Sequence, residues 1–561
     1  LRENPMKRAF YVFLLVVLIP KAGGVFAQIP AVYHVEMRDS IRLATDVYLP
    51  AGGEGPWPVV LARTPYGRTR RAGQGSTQLN PTRRDSLLNR GVAMVIQDVR
   101  GRYDSEGDRL FGVADGWGEL QDGYDTVAWV RGQPWCNGRV ATTGSSAGGM
   151  TQIFLAATGP EGIAGQLIHT APLSVYHAFF STGGVFRKAF VERWLKWNGF
   201  PYESALAEWR AHPYYDAYWQ TMSLSERADR VNWPVALLCC WYDPFLQGSI
   251  DIYTTIRNRG GPVARDNVFM VIGPYTHMNY SFRKQLTAGE LEFPPDARVP
   301  RDQWPKFAHW LSHWLLGEPL DPKPPRVLYY VMGEAPAGNA PGNVWRAADD
   351  WPPPARITPW FFAAGHTLQT LPPRQEGALR YLYDPQHPVP TLGGQNIFLK
   401  AGPYDQRSIE DREDVLLFTS EALTEPVEVT GRITAVLYVS TRAKDTDFTA
   451  KLTDVYPDGR SMLICDSIRR LSLRKDLSHP QTVVPGTRYR IEIDLGSTSI
   501  VLNTGHRIRL AVSSSNSPRF EPNPNTGNPD WTRPETAIAE QTVYVGGNQA
   551  SHLRLPIVSG R

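Results

Sequence analysis

Val140-Ala141-Thr142-Thr143-Gly144-Ser145-Ser146-Ala147-Gly148-Gly149-Met150-Thr151-Gln152-Ile153-Phe154-Leu155-Ala156-Ala157 holds an apolar strand ending at Thr143, a G-x-S-x-G turn at Gly144 to Gly148, and a helix-like stretch from Ala147. A Gly/Ser-rich surface loop would share the motif but not the flanks. A strand before and a helix after are what a nucleophile elbow needs: the sharp turn lifts Ser146 Oγ out of the sheet, small neighbours allow the strained backbone, and the helix N-terminus favours negative charge.

Outward from this elbow, short Val/Ile/Leu runs alternate with turns and helical patterns between about residues 57 and 280, as in a mostly parallel α/β sheet. The strand candidates are 59–62, 92–96, 140–143, 166–169, 235–238 and 268–272. Residues 173–230 break the rhythm with an aromatic-rich segment (Phe179, Phe180, Phe186, Trp194, Trp197, Trp209, Trp219 among others) that reads as a helical cap. Beyond 320, proline clusters at 322–325 and 352–354 lead into strands of two-residue alternation. In Arg488 to Leu495, for example, Tyr489, Ile491, Ile493 and Leu495 share one face, and Ile508, Leu510 and Val512 repeat the pattern. An antiparallel sandwich or jelly roll is expected there. Gly 49 and Pro 47, together about 17% of 561 residues against a usual ~12%, fit such a turn-rich β component.

A serine needs a base, and the base needs an orienting acid. Asp243 follows the strand 235–238 and its cysteines, and His277 follows the strand 268–272. The order Ser, Asp, His is that of α/β-hydrolases rather than of chymotrypsin or subtilisin. The other histidines have plainer readings: His169 precedes any acid of the right order, and His309 and His313 lack the Glu of an H-E-x-x-H zinc motif. For the tetrahedral oxyanion, where one donor is worth ~3 kcal/mol, the N–H of Ala147 is one candidate. Tyr66, in the Thr64-Pro65-Tyr66-Gly67 turn, is the second, equally readable as an ordinary turn residue.

Formal charge is +4, and Arg2, Lys7, Arg8 and Lys21 against Glu3 supply most of it. Lys7, Arg8 and Lys21 belong to a secretory leader expected over 6–27, which Arg2 and Glu3 precede: Met6-Lys7-Arg8, an apolar run from Ala9 to Ile19, then Val25-Phe26-Ala27. Export to the periplasm or medium follows, with no membrane span in the mature chain. The remainder is near neutral and carries no basic stripe, which argues against a nucleic-acid partner. The four cysteines, Cys136, Cys239, Cys240 and Cys465, match no zinc spacing, and buried strand positions suit them better than ligation.

These residues carry a resemblance over nearly all of the mature chain. Arg63-Thr64-Pro65-Tyr66, Asp98-Val99-Arg100-Gly101, Asp122-Gly123-Tyr124-Asp125-Thr126, Gln133-Pro134-Trp135-Cys136-Asn137-Gly138, Gly144 to Gly149, Trp241-Tyr242-Asp243 and Ile272-Gly273-Pro274 with His277 occur in the order found in the cocaine esterase / Xaa-Pro dipeptidyl-peptidase (CocE/NonD) serine hydrolases, which the chain resembles. The resemblance implies an α/β-hydrolase core (28–172 and 231–325), a helical cap (173–230) and a C-terminal β jelly-roll domain (326–561). It also implies a triad of Ser146, Asp243 and His277 with Tyr66 and Ala147 as oxyanion hole, and no metal or organic cofactor. Asp98, Arg100, Asp122 and Asp125 are expected to be structural ion-pair residues.

The family's substrates diverge. Its amino-acid ester hydrolases bind an ammonium through acids, one just past the nucleophile, where this chain has Ala147-Gly148-Gly149-Met150. The expectation is therefore a secreted serine esterase acting on a small-molecule ester or acyl amide. The alternatives are an Xaa-Pro dipeptidyl-peptidase, an α-amino acid ester or β-lactam acyl hydrolase, or a non-enzymatic glycan-binding protein; monomer and homo-oligomer both stay open.

Overall fold

A computed structural model describes residues 29–69, 81–108, 111–282, 285–334, 341–528 and 535–558. The leader expected over 6–27 lies outside them. The core is one ten-stranded sheet: β1 (Ala31–Glu36), β2 (Arg42–Tyr48), β3 (Trp57–Thr64), β4 (Ala93–Asp98), β5 (Cys136–Ser145), β6 (Ile163–His169), β7 (Val235–Tyr242), β8 (Val268–Thr276), β9 (Val327–Val331) and β10 (Val344–Ala348). Their order is β1-β2-β4-β3-β5-β6-β7-β8-β9-β10. Strands β3 to β9 pair in parallel, and antiparallel strands close both edges. Parallel strands covered on both faces are apolar throughout; β4, β8 and β9 are buried at every position.

Three features depart from the expected layout. The antiparallel hairpin β1–β2 was not anticipated, because its alternation is weak and β1 is exposed at most positions. The first strands beyond the expected boundary at 325/326 join the core sheet. The proline cluster 322–325 looks like an interdomain linker, but it is a crossover loop that delivers the wholly buried run Val327 to Val331 beside β8. The strands of the β domain begin instead at Arg356–Phe362. The cap is also not purely helical: between the one-turn π-helix Tyr176–Phe180 and the helix Lys188–Trp197 it carries a small hairpin, Ser181–Thr182 with Val185–Phe186.

Among the described residues the C-terminal β domain holds eleven strands, including the long strand Val427–Thr441, which pairs with Tyr489–Leu502, Ala539–Val545 and His552–Ile557. In Tyr489–Leu502 the alternation is as expected: Ile491, Ile493 and Leu495 are buried while Arg490, Glu492 and Asp494 are exposed. Core and β domain are joined through the backbone, with Met332 N–H donating to Ser499 O (2.9 Å) and Val501 N–H to Met332 O (2.8 Å). The cap hairpin sits on the β-domain strand Ser461–Arg470, where Arg470 N–H donates to Gly183 O (2.9 Å). A Cβ on Gly183 would lie 1.9 Å from Ile468 O, so only glycine allows this approach. Among the described residues no helix is long and apolar enough to cross a membrane.

Candidate active site

The elbow is formed as its residue types require. β5 ends at Ser145 and the helix Ala147–Thr158 begins one residue after Ser146. Ser146 itself has φ 59° and ψ −124°, a conformation that costs a non-glycine residue of order 1–3 kcal/mol and that the surroundings must hold in place. They do so on both sides: Ser146 N–H donates to His169 O (3.1 Å), and Ser146 O accepts from Gly149 and Met150 N–H (2.8 and 2.9 Å). At Gly149 a Cβ would come within 3.0 Å of Ala171 Cβ and 3.2 Å of His169 O, so the small residue lets this helix press against the end of β6. His169, dismissed as a base on chain order, thus contributes through its carbonyl.

Asp243 and His277 leave the ends of β7 and β8, two neighbouring parallel strands. Their pairing slips between Gly273 and Thr276, a bulge of the kind that re-aims the next side chain. Gly273 is obligatory there, because a Cβ would meet the Tyr275 ring at 2.1 Å. His277 Nδ1 then lies 2.7 Å from Asp243 Oδ2. The carboxylate is wholly buried and its other oxygen accepts from Phe245 N–H at 2.7 Å, so each oxygen has a donor. This bond holds the Nδ1–H tautomer and leaves Nε2 as the basic nitrogen. The Phe245 ring stands edge-on to His277 at 5.8 Å.

Tyr66 follows β3 in a turn pinned by its own N–H donating to Thr64 Oγ1 (3.0 Å). Its hydroxyl reaches Ser146 and the Ala147 N–H, and burial raises its pKa above the usual tyrosine range, partly offset by these hydrogen bonds. It is therefore a neutral phenol at neutral pH, able to donate. One contact escaped the sequence reading: Trp194 Nε1 donates to Tyr66 Oη at 3.2 Å. An indole N–H only donates, so it occupies an acceptor position of the phenol oxygen and leaves the O–H proton free for another acceptor. Trp194 belongs to the cap helix Lys188–Trp197, stacks on Phe200 (4.7 Å) and meets Phe179 edge-on (5.0 Å). Only its place in the aromatic cap segment was legible beforehand.

Several motif residues do structural work instead. Asp98 is tied to Arg68, Arg100 bridges Asp122 and Asp39, and Asp125 pairs with Arg38, at 2.9, 2.7, 2.7 and 2.7 Å. All four cysteines are free and buried, with Cys239 and Cys240 held as thiols by burial and by the nearby Asp243 charge. Among the described residues no cluster of His, Cys, Asp and Glu is arranged to hold a metal ion.

Comparison with known proteins places the chain in a family. Residues 39–201 and 199–279 match the X-Pro dipeptidyl-peptidase (S15 family), and residues 322–554 match the X-Pro dipeptidyl-peptidase C-terminal non-catalytic domain. The chain is 34% identical to the cocaine esterase of Rhodococcus sp. (strain MB1 Bresler), over 93% of its own length and 97% of that protein's. It is 25% identical to a putative serine esterase of Mycobacterium bovis, covering 87% of this chain and 90% of that one. Among solved structures, an aminopeptidase from a marine sediment archaeon (Thaumarchaeota archaeon) superposes with TM-score 0.81 at 26% identity, covering 97% of this chain and 98% of that one. An α-amino acid ester hydrolase does so with TM-score 0.79 at 25% identity, covering 96% and 98%. With an α/β core, a C-terminal β domain and a cocaine esterase relative aligned almost end to end, this chain belongs to the cocaine esterase / X-Pro dipeptidyl-peptidase family of serine hydrolases.

Proposed function

We propose that the protein hydrolyses carboxylic esters of small molecules through an acyl-enzyme on Ser146. His277 Nε2 takes the serine proton as Oγ attacks the carbonyl carbon, and the imidazolium is stabilised by Asp243. The alkoxide of the tetrahedral intermediate accepts from Tyr66 O–H and Ala147 N–H, and its charge is favoured by the helix N-terminus at Ser146. His277 returns the proton to the leaving alcohol, and water repeats the cycle on the acyl-enzyme. The observations that support this reading are the His277–Asp243 bond (2.7 Å), the hydrogen bonds of the Tyr66 hydroxyl with Ser146 and Ala147 N–H, and the small cavity that His277 shares with Ser145. A secretory leader over 6–27 would deliver the enzyme to the periplasm or medium.

A simple ester is favoured over a substrate with a free α-amine. An ammonium needs a carboxylate to receive it, and neither Ala147 to Met150 nor Pro244-Phe245-Leu246 supplies one. The aromatic side chains beside Tyr66, namely Trp194, Phe179 and Phe245, suit an apolar or aromatic acyl or alcohol group. The test is fluorophosphonate labelling followed by adduct mapping, with p-nitrophenyl butyrate and Ala-Pro-p-nitroanilide as competing substrates. Label on Ser146, ester turnover in excess, and loss of ester turnover in Ser146→Ala are expected. Label elsewhere, or undiminished turnover in that variant, overturns the proposal.

A further inference from the structure

Where cap, core and β domain meet there is a cavity of about 410 Å³, and none of Ser146, Tyr66, Ala147 or His277 is among its walls. Its charges do not balance. Four arginines, Arg187, Arg432, Arg469 and Arg519, face three aspartates, Asp251, Asp466 and Asp494. Arg432 engages both Asp494 and Asp251. Asp466 gives one oxygen to Arg519 Nη1 (2.5 Å) and the other to Asn516 Nδ2 (2.7 Å). Every aspartate is thus committed, and among the described residues no carboxylate makes a direct ion pair with the guanidinium of Arg187 or Arg469.

Arg187 is the more exposed to this deficit in energy, though not to solvent: it is only 2% accessible, and its Nε and Nη1 have no hydrogen-bond partner, like Nε of Arg519. The Phe190 ring lies 5.0 Å from its guanidinium carbon, but a π face cannot accept all of its in-plane N–H groups. Burial and the neighbouring Arg519 charge pull its pKa down to about 9, against the weaker opposing charges of Asp243 and Asp466, so it stays cationic at neutral pH. A buried cation with unmade hydrogen bonds is costly unless something pairs with it. His177, pulled down to about 4 chiefly by burial, is neutral and offers no further charge.

We propose that this cavity binds the carboxylate of a small organic acid, with Arg187 as its anchor. The walls are one negative charge short, which matches a monoanion, and two parallel N–H groups of a guanidinium fit the two oxygens of a carboxylate. The volume exceeds what a bare ion needs and lies in the range of small-molecule sites. Leu173, Ala178, Ile468, Leu477 and Leu495 supply apolar wall for an aliphatic or aryl tail.

The test reads binding rather than turnover, so it stands apart from the assignment of Ser146. Full-length protein is titrated calorimetrically with hexanoate and with the neutral isostere hexanamide at matched ionic strength. The expected result is saturable 1:1 binding of hexanoate, none of hexanamide, and about 10- to 100-fold weaker binding in Arg187→Met, the worth of a charge-assisted hydrogen bond. Arg187→Lys keeps the charge without the fork and is expected to weaken binding several-fold, which preserves the test if the methionine variant does not fold. Crystals grown with 6-bromohexanoate should show bromine density in the cavity, with the carboxylate on Arg187. Equal binding of hexanamide, unchanged affinity in both variants, displacement by equimolar chloride, or bromine only beside Ser146 overturns the proposal.

Discussion

Among the described residues two His–Asp pairs with a buried carboxylate share nearly identical geometry, one at the end of the core sheet and one inside the β domain. His277 Nδ1 meets Asp243 Oδ2 at 2.7 Å, and His506 Nδ1 meets Asp454 Oδ1 at 2.8 Å. The surroundings differ. His277 shares a small cavity with Ser145 at the elbow, and among the described residues no second carboxylate pairs with it. His506 has Glu334 3.8 Å from its Nε2 and the Tyr456 ring at 4.4 Å. The first arrangement leaves Nε2 as a base; the second surrounds the ring with acceptors and favours the imidazolium. A His–Asp contact is therefore no signature of catalysis, and what faces the far nitrogen separates the two.

The largest expected effect separates the pairs directly. Asp243→Asn should lower kcat for p-nitrophenyl butyrate by about 10⁴ through loss of the correct tautomer, with a cooperative thermal transition retained. Asp454→Asn should leave kcat within about twofold and lower stability by about 1–3 kcal/mol, the cost of an unsatisfied buried group. Equal kinetic effects from both would erase the distinction. Next in size is Tyr66→Phe, which removes one oxyanion donor and should cost about 10² to 10³ in kcat with KM little changed. Trp194→Phe keeps the ring but removes the indole donor. A loss of about fivefold to tenfold in kcat is expected, the worth of one neutral hydrogen bond, again with KM little changed. A rise in KM alone would mark Trp194 as a packing residue only.

Much of this was legible because the core obeys local rules. Ser146 is flanked by the strand and helix its motif requires, and Asp243 and His277 fall just past buried strands that cannot be read as helices. Trp194 was not legible as a partner of Tyr66, since 128 residues separate them and one aromatic in a cap full of aromatics carries no mark of its role. The return of Val327–Val331 to the core sheet was not legible for a related reason: prolines announce a break in regular structure but not whether the chain then leaves the sheet or rejoins it. The hairpin β1–β2 was missed because its outer strand faces solvent and lacks the apolar run by which the inner strands were recognised. Nor could the Arg187 cavity be read, since its walls come from three separate parts of the chain.

The smallest effect is a pH dependence that belongs to the β domain alone. Burial by itself would lower the pKa of His506. The hydrogen bond to Asp454 and the carboxylates of Asp454 and Glu334 more than offset this and leave it above 6.5. A group with a raised folded-state pKa binds its proton more tightly in the native protein. Its contribution is therefore complete below the unfolded value near 6.5 and is lost as pH rises through the raised value. Burial also raises the pKa of Asp454, against the opposing effect of His506. Substitution of His506 therefore assigns the window above 6.5 to the imidazole. Calorimetric Tm should decline through that window and flatten in His506→Gln. The same variant should keep the pH–rate profile of ester hydrolysis, because in the proposed mechanism His277 and not His506 takes the serine proton. A profile that moves with His506 would show that the two pairs are coupled across the domain interface.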